Sequence, residues 1–152
     1  MIQKRPITAE KALQKLAALC AKAEYCTGDM EEKMQRWGLG EDDIRHNVDY
    51  LVGHKYVDDT RYCRAFVSDK ITYNRWGRRK IEQALWMKHV PESVYGPVLD
   101  EVPEERYLEV LRPLLKAKEP TINAASDYER SMKLIKFAMG RGFSIEEIRK
   151  CM

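Results

Sequence analysis

Six consecutive residues, Arg75, Trp76, Gly77, Arg78, Arg79 and Lys80, place four cations around one indole. Guanidinium and ammonium groups grip phosphates or carboxylates, and an indole face can stack on a base or hold a cation. If Gly77 or Asn74 caps a helix here, three of the cations fall in its first turn, where the partial positive end of the helix disfavours them. Sequences tolerate such a conflict when something else is gained. The gain predicted here is an anionic partner, either DNA phosphate or an acidic protein surface. Arg61, Arg64 and Lys70 on the preceding helix extend the patch, so the candidate partner- or DNA-binding set is Arg61, Arg64, Lys70, Arg75, Trp76, Arg78, Arg79 and Lys80. The competing account pairs these charges with Asp58, Asp59, Asp69 and Glu82 and packs Trp76 in the core.

Other chemistry is poorly supplied. His46 and His54 stand eight apart, but Gly53 should end the helix between them, and Tyr50 midway is a poor zinc ligand. Cys20, Cys26, Cys63 and Cys151 lack paired spacing, so they read as reduced thiols, mostly in the core. Cys26 lies near a helix start but has no base beside it. Gly38 and Gly40, like Gly140 and Gly142, read as helix stops, without the Lys and Ser/Thr of a phosphate loop. Glu104 and Glu105 follow a Pro and compensate a helix dipole. Tyr56, Tyr62, Phe66, Tyr73, Trp76 and Trp86 interleave with the cations; stacking on bases is open to them, but helical spacing makes core packing the simpler use. No nucleophile, base or metal set assembles, so the expectation is a binding protein without catalysis or cofactor.

The 152 residues carry a net charge of only +3, with 34% charged and 44% hydrophobic residues, enough to bury one core or a short array of helical units. Distribution says more than the total. From His54 to His89 nine Lys and Arg face four acids, a balance of +5, whereas from Val90 to Val110 six acids face Arg106 alone, a balance of −5. No stretch approaches the roughly 18 apolar residues of a membrane span, and residues 2–6 are not an apolar signal core. A cytoplasmic monomer is the expectation.

These side chains must be positioned by helices. Thr8 caps a first helix bearing Leu13, Leu16, Ala17, Cys20 and Ala23; Asp29 with Glu32 opens a second that ends at Gly38; a third runs from Glu41 to Val52. Asp58 caps the next, Gly77 precedes another, and Pro91 sits as a first helical residue. A last round starts at Pro103, continues from a Ser126 and Glu129 capping box, and closes with Ser144 and Glu147. Pro113 should kink or end its helix, and Lys118 to Ala125 reads as the longest loop.

The pattern recurs. Met30, Met34, Gly38 align with Ile81, Leu85, His89 and with Leu134, Ala138, Gly142, each followed by an apolar residue, Leu39, Val90 or Phe143. Ile44 and Ile148 follow their glycines by six, but Val94 comes one early, which predicts a second turn that is tighter or differently capped. The predicted fold is all-α: three tandem three-helix repeats at 8–57, 58–102 and 103–152 in an elongated or curved array.

Three strings in order resemble the RecX family of recombinase regulators: Tyr56, Val57, Asp58, Asp59, Arg61, Tyr62, Ala65, Phe66, Val67; then Trp76, Gly77, Lys80, Ile81, Leu85; then Arg141, Gly142, Phe143 and Ile148. The resemblance implies a cytoplasmic bacterial regulator that binds a RecA-type recombinase filament and restrains its recombination, ATPase and coprotease activities, with no cofactor. The alternative is a helix-turn-helix-like protein that binds single- or double-stranded DNA without a recombinase.

Overall fold

A computed structural model describes residues 7–152; the stretch 2–6 lies outside the described residues. Among the described residues the chain forms nine α-helices and no strand: α1 Ala9–Cys20, α2 Thr27–Arg36, α3 Glu41–Gly53, α4 Asp59–Thr72, α5 Arg78–Met87, α6 Glu92–Asp100, α7 Glu104–Lys118, α8 Asp127–Gly140 and α9 Ile145–Cys151. The predicted all-α repeat fold is the one observed. None of these helices is long and apolar enough to cross a membrane.

Most helix starts are set by local chemistry. Thr8, Asp58, Ser126 and Ser144 each accept a backbone N–H from three residues on, satisfying donors that a helix leaves free in its first turn. Glu147 returns the bond to Ser144 N–H, whereas Glu129 reaches Ala125 N–H instead of Ser126. Three expectations need correction. α2 begins at Thr27, not Asp29: Asp29 accepts from Cys26 N–H, and Asp59 of α4 accepts from both the backbone and the hydroxyl of Thr27, at 2.7 and 2.9 Å. A carboxylate 32 residues away therefore caps this helix. Pro91 is the residue before α6 rather than its first, held in extended backbone. Pro113 neither ends nor interrupts α7, which continues to Lys118; Leu111, Leu114 and Leu115 around it are buried in the core, and that packing outweighs one missing backbone bond.

The turns after α2, α5 and α8 are equal in length and in their closing backbone bonds, so the second is not tighter; it is differently capped, with His89 where the others have Gly. Gly38, His89 and Gly142 all take positive φ, at 83°, 62° and 98°. Leu39, Val90 and Phe143 then donate back to Met34, Leu85 and Ala138, the helix-stop geometry that favours glycine. His89 adopts it without glycine, at a cost of about 1 kcal/mol. Six residues past each lie Ile44, Tyr95 and Ile148; Tyr95, not Val94, occupies the matching place.

Two cores result. Ala12, Leu16, Met30, Met34, Ile44, Leu51 and Val57 form one among α1–α3. Buried Asn47 closes it by donating to Ala9 O at 2.9 Å. α4–α9 share the other, from Tyr62 and Cys63 through Ile81, Leu85 and Leu111 to Phe143 and Ile148. Among the described residues, Cys26 alone of α1–α3 and its loops reaches into that shared core. Burial pushes the Cys26 thiol up to about 12 and Cys63 up to about 11, so neither is a poised nucleophile. The joint between the two cores is largely polar: Thr27 with Asp59, Arg61 with Glu24 at 2.7 Å, and Lys88 with Asp29 at 3.1 Å. Asp59→Ala removes the acceptor for two Thr27 bonds, and hydrogen bonds to a charged group are worth about 1.5–3 kcal/mol each. Amide exchange at the start of α2 is expected to accelerate at least tenfold while α7 and α8 stay protected; unchanged exchange at Thr27 refutes the clasp.

Candidate partner-binding surface

The start of α5 is built by the end of α8. Gly77 N–H donates to Arg141 O at 2.8 Å and Arg79 N–H to Gly142 O at 3.2 Å, so the free donors of one helix meet the free acceptors of another. A Cβ on Gly77 would lie 2.4 Å from Gly142 backbone, and one on Gly142 would lie 2.6 Å from Lys80. The first turn of α2 meets α5 in a similar way, since a Cβ on Gly28 would lie 2.3 Å from Lys88 O. Three cations at the start of α5 are thus offset by the negative end of α8, and their position does not by itself require an anionic partner.

The eight candidate residues separate into two groups. Arg61 is held by Glu24 and the Tyr56 carbonyl, Arg64 by Glu101 at 3.3 Å, and Arg78 by Glu82 at 2.9 Å and Asp100 at 2.7 Å. Hydrogen bonding to Glu82, and less to Asp100, holds the Arg78 guanidinium above its ordinary range. The acidic segment seen in the sequence therefore lies against the basic one, Glu101 taking Arg64 and Asp100 taking Arg78, while Glu104 takes Lys150 of α9. Lys70, Arg75, Arg79 and Lys80 have no carboxylate within ion-pair distance among the described residues. Lys70 and Lys80 both stand over the Trp76 ring, 5.0 and 4.8 Å from its centroid, so two ammonium groups converge on one half-buried indole. Arg75 is exposed and left-handed, with φ 56°. Trp76 is thus a support for cations that also packs against the core.

The family models described as RecX, second three-helix domain, and RecX, third three-helix domain, match residues 58–95 and 104–152, together more than half of the chain. The chain belongs to the RecX family. The regulatory protein RecX of Vibrio parahaemolyticus is 28% identical over 148 residues, spanning 97% of this chain and 94% of that protein. The regulatory protein RecX of Caldanaerobacter subterraneus is 26% identical over 147 residues, 96% of this chain and 71% of that one. The crystal structure of RecX from Lactobacillus salivarius superposes with a TM-score of 0.85 at 16% identity, covering 94% and 93% of the two chains. A second RecX crystal structure gives 0.87 at 20% identity, covering 94% and 72%. At such identities the likeness to solved structures concerns the fold. Within this RecX chain, Gly77 and Gly142, quoted above for the resemblance, are the two glycines that let α5 seat on α8.

His46 and His54 are exposed and separate from any ligand set; among the described residues no three His, Cys, Asp or Glu cluster to hold a metal. The core packing expected of the interleaved aromatics fails at Tyr56 and Tyr73, which are exposed, and at Trp86. Trp86 follows the buried stripe of Ile81 and Leu85 by one residue, which rotates it about 100° off that stripe, and that offset was the available signal.

Proposed function

We propose that this RecX protein binds a RecA-type recombinase filament and restrains it, acting as a cytoplasmic monomer and a binding protein rather than an enzyme. The observation that supports the reading is the pair Lys70 and Lys80 over Trp76 with Arg75 and Arg79 nearby in the chain, four cations without carboxylate partners among the described residues, on a regulator of this family. Cations without carboxylate partners are available to an anionic surface when it arrives. The modules 8–57, 58–102 and 103–152 would contact successive parts of the polymer, where modest contacts add through effective concentration. In the middle unit a helix-turn-helix reading of duplex DNA is disfavoured, because its third helix, α6, carries Glu92 and Asp100 and no Lys or Arg.

The test adds purified protein to recombinase filaments and follows ATP hydrolysis and strand exchange. The native protein should suppress both, and Arg75→Glu with Arg79→Glu should need at least tenfold more protein for the same effect. No suppression at several-fold excess refutes the reading.

A further inference from the structure

The outer face of α5 carries a second kind of contact. Arg79, Gln83 and Trp86 follow at four- and three-residue spacing and so share a helix face. Trp86 and its neighbour Met87 are each 67% exposed. Two recesses open beside them, of about 380 Å³ and about 570 Å³, and Trp86 and Tyr95 line both. Arg79 lines the first recess and Glu92 the second, so the shared Trp86 and Tyr95 lie between recesses of opposite charge, and neither charge has an ion-pair partner among the described residues. Besides Glu92, the walls of the second recess are Trp86, Met87, His89, Val90, Pro91 and Tyr95, apolar but for the imidazole.

We propose that this groove between α5 and α6 is a docking site for a protein surface that inserts an apolar side chain between Trp86 and Tyr95, with a carboxylate facing Arg79 and a cation facing Glu92. Exposed Trp and Arg are the residue types that carry most binding energy at protein interfaces, and Met is enriched there. Opposite free charges in the two recesses fix the direction in which the partner lies. A nucleic-acid strand fits less well. Its phosphates need several cations along the path, whereas the groove lining supplies Arg79 against Glu82 and Glu92. The inference rests on the proposed function, taking the recombinase filament as the protein that docks, and makes Trp86 rather than Trp76 the apolar anchor.

The experiment measures binding of native protein, Trp86→Ala and Glu92→Lys to recombinase filaments assembled on single-stranded DNA, and to the same DNA alone. Both side chains are exposed, and thermal melting monitored by circular dichroism checks that each variant is folded. Trp86→Ala should weaken filament binding at least 30-fold, and Glu92→Lys should weaken it severalfold, with no variant changing the response to bare DNA. Equal filament binding by Trp86→Ala overturns the groove and leaves the regulator reading standing. No filament binding by the native protein overturns both. Bare-DNA binding that Trp86→Ala abolishes overturns the protein occupant.

Discussion

Gly77→Ala is expected to destabilise the α4–α9 body by about 3 kcal/mol, at the upper end of what overpacking costs. The new methyl would sit 2.4 Å from the carbonyl carbon and oxygen of Gly142 and 2.5 Å from Phe143 N. All three are backbone atoms, so no side chain can swing aside. α5 would have to retreat from α8, and the bonds from Gly77 N–H to Arg141 O and from Arg79 N–H to Gly142 O would lengthen or break. Gly142→Ala should be at least as costly, because its φ of 98° strains any side chain and its Cβ would meet Lys80 N and Cβ at 2.6 Å. Gly140→Ala is the control: nothing lies within 4 Å of a Cβ there, and alanine should be neutral or slightly stabilising. Urea titration of the three variants decides the matter. Gly77→Ala within 0.5 kcal/mol of the native protein, on the order of ordinary surface scatter, would show that the seat does not bear on stability. The functional stake is the cationic cluster, since Arg75, Trp76, Arg79 and Lys80 are placed by this contact.

The second large effect separates the two cores. Leu111 is fully buried in the core shared by α4–α9, and Leu16 is fully buried in the core of α1–α3. Truncation of either to alanine should cost about 2–5 kcal/mol, the usual range for a buried leucine. The location of the loss should differ. Leu111→Ala should accelerate amide exchange across α4–α9 together, while Leu16→Ala should loosen α1–α3 and leave α7 and α8 protected. The joint between them is mostly hydrogen bonds and ion pairs, which transmit less cooperativity than a continuous apolar core. Uniform loss of protection along the whole chain in Leu16→Ala would show instead a single cooperative unit.

Where one helix begins and another ends could be read from the sequence because the chemistry involved is local. A hydroxyl or carboxylate three residues before a donor, or a residue able to turn left-handed after an apolar pair, acts within a few residues, so Thr8, Asp58, Ser126, Ser144 and the recurring Gly38, His89 and Gly142 marked the repeats. The start of α2 escaped that reading because its cap, Asp59, arrives from another helix. The persistence of α7 through Pro113 escaped it because leucine packing, not backbone preference, holds that helix. The charges divided in the same way. Composition exposed a basic and an acidic segment, but only the folded chain decided that Arg64 and Arg78 are satisfied by Glu101, Glu82 and Asp100, leaving Lys70, Arg75, Arg79 and Lys80 without such partners. It also decided which tryptophan supports cations and which faces outward. Residue type sets what a side chain can bind, whereas its availability depends on neighbours tens of residues away, and tertiary packing alone brings those together.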